Sequence, residues 1–152
     1  MAFCAWDGAY LPTEAEWNYA ATGGDEQRVY AWSNPATSLT LDVSYASYSC
    51  LADGVDSCAR TDLTAVGTKT AGDGRWGQSD LTGNVMEWNL DWDAQYAVPC
   101  MDCANISTPT GERAIRGGSF DIDVGRLRTG YRATFPPDEP SVTNGVRCAR
   151  AL

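Results

Sequence analysis

The sequence predicts a small α+β domain with little regular secondary structure, made of short strands and few helices. Three observations point there. Fifteen Gly and seven Pro are scattered through 152 residues without a period, so the chain turns often and its elements are short. One stretch near the N-terminus carries both start and stop signals for a helix. Elsewhere only brief stretches alternate in the manner of strands. At this length residues 1–152 form one domain with a real core, to which six Trp and seven Tyr bring large surfaces.

The elements follow in order. Thr13-Glu14-Ala15-Glu16 is a capping box: the Thr13 hydroxyl can accept from the Glu16 N–H while the Glu16 side chain reaches back. Pro12 precedes the cap, Trp17 and Ala20 share a helical face, and Gly23-Gly24 stops the run, so residues 13–21 are a short helix. Residues 33–73 are rich in Ser, Thr, Asp and Gly and read as irregular, with a short strand at Ala65-Val66-Gly67. Val85 to Asp91 alternates, Val85, Glu87 and Asn89 against Met86, Trp88 and Leu90, as a strand would. Residues 93–112 form a polar loop. Arg113 to Arg116 begins a strand that ends in the Gly117-Gly118 turn, and Leu127–Phe135 and Val146–Ala149 are closing strands.

Charge and composition exclude several functions. A formal charge of −9 argues against nucleic-acid binding, which needs a basic face, and suits cations. No apolar run approaches a membrane span. The chain has no His, which removes Ser-His-Asp and Cys-His machinery and any His-held zinc or iron. Six Cys in a loop-rich chain read as disulfides in an oxidising compartment, so the expected location is extracytoplasmic. Cys50 and Cys58 bracket a short polar loop and pair by spacing. Cys100 and Cys103 form a Cys-x-x-Cys, which is either a structural disulfide or a redox or metal pair; Asp102 is a poor neighbour for a thiolate.

Four dense segments stand in a fixed order: Leu11-Pro12-Thr13-Glu14-Ala15-Glu16-Trp17, Asp80-Leu81-Thr82-Gly83-Asn84-Val85-Met86-Glu87-Trp88, Arg116-Gly117-Gly118-Ser119-Phe120 and Asn144-Gly145-Val146-Arg147-Cys148. Together they resemble the formylglycine-generating enzyme family, the sulfatase-modifying factors. The resemblance implies that family's variant of the C-type lectin fold, here over the C-terminal two-thirds of a usual family domain. It also implies a bridge between Cys4 and Cys148. In the family a sheet and a helix come before the position of Cys4, whereas three residues do here. Either the chain continues N-terminally, or Phe3, Trp6 and Tyr10 lie on a bare face that packs against a protein partner or another copy.

The same resemblance defines the chemistry to look for. The oxidase branch holds copper on two Cys just after the Gly-Gly-Ser motif, and Asp121 to Arg132 contains none; the sulfoxide-synthase branch needs His-held iron. Neither copper nor iron is therefore expected. Calcium is: the resemblance gives it Asn84 and Glu87 as ligands, with the backbone of Gly83 and Val85. The competing reading has Asn84 capping a turn and Glu87 pairing with an arginine. Asp121, Asp123, Arg126 and Trp88 mark a possible ligand cleft where the family places its active cleft. Arg116, Arg126, Arg128, Arg132 and Arg147 gather late in an acidic chain, to satisfy carbonyls and carboxylates or to bind an anion. The expectation is a binding or structural domain without catalysis, and the alternative is an oxidoreductase of the formylglycine-generating type completed outside this chain.

Overall fold

A computed structural model describes residues 1–55, 57–100 and 103–150; Asp102 lies outside them. Two α-helices, α1 (Ala2–Trp6) and α2 (Glu14–Thr22), precede four strands: β1 (Met86–Trp92), β2 (Arg113–Arg116), β3 (Arg132–Phe135) and β4 (Asn144–Gly145). The sheet order is β3-β2-β1-β4, antiparallel except for the parallel β1–β4 pair. Short 3₁₀ turns and irregular chain make up most of the rest, and the fold is the α+β arrangement expected.

The capping box forms as written. Thr13 Oγ1 accepts from Glu16 N at 3.2 Å, and Glu16 Oε2 accepts from Thr13 N at 2.8 Å. Gly23 ends α2 in the left-handed region at φ 68°, where its N–H caps the Ala20 carbonyl. The buried face of α2 presents Trp17 and Ala21 to Leu81 and Ala31, while Ala20 packs at the margin. Trp17 is 2% exposed, so truncating it would cost about 3–5 kcal/mol. A second apolar cluster joins Tyr30, Trp32, Ala46, Tyr48 and Leu127, with Ile122 against it.

Strand β1 alternates as predicted, but its polar side is buried. Glu87, Asn89 and Asp91 are buried beside α2, whereas Trp88, Leu90 and Trp92 are only half-buried. Burying such a row is tolerable only where the groups find partners. Two of the three do, as shown below.

Four expectations are corrected. Ala65-Val66-Gly67 is a turn, not a strand: Gly67 sits at φ 74° and Val66 is 84% exposed. Leu127–Phe135 is not one strand. Asp123 caps a 3₁₀ turn over Val124–Leu127 by accepting from Gly125 N, Leu127 turns inward, and pairing begins only at Arg132. The C-terminal pairing lies at Asn144–Gly145 rather than Val146–Ala149, of which only Ala149 bridges, to Tyr10. Residues 2–6 form a helix for which no signal was read.

All three predicted disulfides are present: Cys4–Cys148, Cys50–Cys58 and Cys100–Cys103. The first joins α1 to the end of the chain. On α1, Phe3 and Trp6 stay exposed with their rings 6.0 Å apart, and Tyr10 is exposed just beyond. Among the described residues no helix is long and apolar enough to cross a membrane.

Candidate functional site

The four motifs meet each other. Trp17 Nε1 donates to Glu87 Oε2 at 2.7 Å. Arg147 grips the same carboxylate with two bonds, Nε to Oε2 at 2.9 Å and Nη2 to Oε1 at 2.7 Å. Burial disfavours the Arg147 charge, but Glu87 outweighs it and the pKa moves upward. The turn glycines touch as well. Gly83 N donates to the Gly117 carbonyl at 2.8 Å, and a Cβ on Gly83, at φ 79°, would stand 2.5 Å from the Ser47 carbonyl oxygen.

A second group forms around Glu14, which is 4% exposed. Its Oε1 accepts from the Tyr96 hydroxyl at 2.7 Å and from Arg132 Nε at 2.8 Å. Arg116 Nε lies 3.3 Å away, close enough for an ion pair but not aligned for a hydrogen bond. Arg116 also donates to Asn18 Oδ1 at 2.9 Å and to the Tyr131 carbonyl, and stacks 5.4 Å from the Trp17 ring. Asp91 Oδ2 accepts from Glu14 N at 2.7 Å, and its Oδ1 from Asn105 N at 2.9 Å. Burial pushes the Arg116 pKa down against the pull of Glu14. For Arg132 burial is outweighed by the bonds to Asp93 and Glu14, and the shift is upward. Both guanidinium groups stay charged across the physiological range. The Tyr96 pKa rises through burial of its hydroxyl and its bond to Glu14.

This group forms the floor of the larger cavity, of about 740 Å³. Its walls come from one side of α2 along its length, from Glu14 to Thr22, the end of β1, residues 94–97 and 103–105, and residues 129–132. The Cys100–Cys103 bridge lies in that wall. Sequence reading did not assemble this cavity. Glu14 and Arg116 stand in two of the motifs, but nothing in the sequence joins them to Tyr96, Arg132 or the Cys-x-x-Cys loop.

The predicted calcium ligands are engaged otherwise. Asn84, at φ 64°, accepts from Thr64 N through Oδ1 at 3.1 Å and donates Nδ2 to the Thr64 carbonyl at 3.2 Å. Its side chain thus closes a loop twenty residues away. Both oxygens of Glu87 are held by Trp17 and Arg147, so the arginine-pairing reading is the observed geometry. An ion at Glu87 would compete with the Arg147 guanidinium for the carboxylate, and one at Asn84 with the Thr64 backbone. Among the described residues no cluster of three or more His, Cys, Asp or Glu side chains is placed to hold a metal.

The predicted cleft residues do not form one site. Asp121 accepts from the Ser119 hydroxyl, and exposed Asp123 pairs loosely with exposed Arg126 at 3.5 Å. Trp88 is elsewhere, in a smaller pocket of about 300 Å³ walled by residues 137–141 and Asn144. Where the oxidase branch carries its copper thiols, this chain buries Leu127 and packs Ile122. All six of its Cys are in disulfides.

Comparison with known proteins fits this architecture. Residues 1–152 match the family model described as "Sulfatase-modifying factor enzyme 1-like domain". The formylglycine-generating enzyme of Streptomyces coelicolor is 34% identical over 97% of this chain and 48% of its own length. The inactive C-alpha-formylglycine-generating enzyme 2 of Mus musculus is 31% identical over 97% of this chain and 45% of its own. The chain thus spans about half the length of these curated relatives. Among solved structures, Treponema denticola variable protein 1 aligns with a TM-score of 0.69 and 27% identity, over 90% of this chain and 45% of that one. PvdO from Pseudomonas aeruginosa aligns with a TM-score of 0.79 over 99% of this chain and 58% of that one; at 23% identity it speaks for the fold alone. On the family match, the shared motifs and the common fold, the chain belongs to the sulfatase-modifying factor, or formylglycine-generating enzyme, family.

Proposed function

We propose that this domain is a non-catalytic, extracytoplasmic binding module on the formylglycine-generating scaffold. One observation carries the reading. The segment after Gly-Gly-Ser supplies Ile122 and Leu127 to the apolar core and holds no thiol, while every Cys of the chain is tied up in a disulfide elsewhere. Cu(I) selects soft thiolate ligands, and a half-cystine is not one. Three disulfides favour an oxidising compartment. The likeness to a mouse relative whose name marks it as inactive supports the same reading.

The test is direct. Copper-loaded protein, incubated with oxygen and a cysteine-containing sulfatase peptide, is expected to yield no aldehyde. An aldehyde signal above that of copper alone would overturn the reading. If the signal vanished in Cys100→Ser, it would point to the Cys pair in the cavity wall and to the oxidoreductase alternative.

A further inference from the structure

We infer that the cavity over Glu14 binds a small organic carboxylate with a flat apolar body; this rests on the reading of the domain as a binding module. Three guanidinium groups, Arg28, Arg116 and Arg132, line the cavity against two carboxylates, Glu14 and Asp91. Glu26 and Asp93, which pair with Arg28 and Arg132, bring the carboxylates of this region to four, so an anion would be held by individual guanidinium donors rather than by net charge. The two lining carboxylates are already saturated by donors: Glu14 by Tyr96, Arg132 and the nearby Arg116, and Asp91 by two backbone N–H groups. Two guanidinium groups keep donors in reserve. Arg132 uses Nε on Glu14 and Nη1 on the half-exposed Asp93; Arg28 uses Nε on Glu26 and Nη1 on the Ala31 carbonyl. The second terminal nitrogen of each has no partner among the described residues.

The cavity also has apolar lining beside its arginines. Trp92, Tyr96 and the methyl groups of Ala94, Ala97 and Ala104 face the same space. A volume of about 740 Å³ lies within the usual range for small-molecule sites. Planar guanidinium groups suit a carboxylate, and the aromatic and methyl wall suits a flat ring. Arginine donors beside an apolar surface select such a ligand over a bare inorganic anion.

Titration of the 152-residue chain with benzoate, followed by calorimetry and by Trp fluorescence, tests this. Benzoate is expected to bind saturably with a Kd on the order of millimolar, as befits so small a ligand. Neutral benzamide and inorganic phosphate should each bind at least ~10-fold more weakly, because each lacks one half of the match. Arg132→Gln should reduce benzoate binding by ~10-fold or more. Because Arg132 also supports Glu14, a second variant avoids the ion pairs altogether: Ala97→Trp, at an exposed position, should crowd the cavity and weaken benzoate binding by ~10-fold or more in a folded protein. No saturable binding by the unaltered chain would overturn the inference. So would equal affinity for benzamide, a preference for phosphate, or full affinity in Ala97→Trp. The aldehyde assay reads separately. Benzoate binding together with aldehyde would defeat the non-catalytic reading and leave this site standing; neither signal would leave that reading and remove the site.

Discussion

The paired motifs and the cavity floor use the same chemistry to different ends. Around Glu87 the charges are closed: one carboxylate, one arginine and one indole satisfy each other, and all come from family motifs. Around Glu14 they are open: one buried carboxylate holds two arginines and a tyrosine that is 63% exposed as a residue, and the outer edge faces a cavity. The first arrangement is a clamp that joins the helix, the first strand and the chain's end. The second is a clamp whose far side is left for something else. The difference teaches that a motif residue on this scaffold can be structural even where a related chain puts chemistry, and that binding capacity lies where loops of no special signature meet a motif.

The largest expected effect breaks the frame that both regions share. Replacing Cys4 and Cys148 together by Ser opens a bridge spanning 144 residues, which contributes about 5 kcal/mol in the chain-entropy model. Removing Cys100–Cys103, with a separation of 3, should cost about 2 kcal/mol on the same account. Denaturant midpoints of the two double variants would measure the gap. Equal losses would mean that the long bridge restrains nothing the folded ends do not already restrain.

Next in size is Glu14→Ala. It strips the carboxylate from Arg116, whose side chain is 4% exposed and keeps only the neutral acceptors of Asn18 and Tyr131, and one of two carboxylates from Arg132. An uncompensated buried guanidinium costs about 3–5 kcal/mol. Glu87→Ala should cost somewhat less, about 3 kcal/mol, because Arg147 is 26% exposed and keeps the Ser79 carbonyl. If Glu87→Ala were the worse of the two by chemical denaturation, the closed clamp would be the more buried in effect, and the contrast drawn above would reverse.

How much of this was legible in the sequence depends on distance along the chain. The α2 capping box is local, four consecutive residues with reciprocal bonds, and it reads correctly. The turn at Gly117-Gly118 and the alternation of β1 are also local. Pairing of Glu87 with an arginine stood as an alternative, but nothing within reach of residue 87 singles out Arg147, which lies sixty positions away. Leu127 looked like strand because it is apolar and precedes a real strand; a cap at Asp123 turns it into the core instead. The cavity was the least legible. Its floor joins Glu14 to Arg132 across 118 positions, and its rim is a polar loop whose residues look like ordinary surface until the fold stands them beside α2.

A smaller effect of opposite sign is expected between the clamps. Asn89 is 0% exposed on β1, between Glu87 and Asp91, and neither its Oδ1 nor its Nδ2 has a partner among the described residues. A buried amide without partners costs about 1–3 kcal/mol of desolvation. Asn89→Leu, of similar volume, should therefore raise stability by about 1 kcal/mol. Asn89→Asp should lower it, because it buries a charge beside two carboxylates. Thermal melts of both would decide. A destabilised Asn89→Leu would mean that the amide is hydrogen-bonded in solution and that the row of buried polar groups on β1 is complete.

The smallest expected effect is none. Adding calcium or a strong chelator should leave the melting temperature unchanged. An ion that binds only the native state stabilises it by RT ln(1 + [L]/Kd), about 2.7 kcal/mol at a concentration one hundred times Kd. For a domain of this size that is a shift of several degrees, roughly 3 °C or more and readily seen. To reach Glu87 the ion would have to displace Arg147, which holds both carboxylate oxygens, and Trp17 with it. Losing two charge-assisted bonds and an indole bond to gain one monodentate or bidentate contact is unfavourable, because the freed guanidinium stays largely buried. Asn84 would likewise have to release Thr64 on both sides. Calcium-dependent melting that persisted in Glu87→Gln would place an ion elsewhere on this acidic surface and leave the closed clamp intact. Calcium-dependent melting lost in Glu87→Gln would show that the clamp opens for an ion, and would erase the distinction between the closed region and the open one.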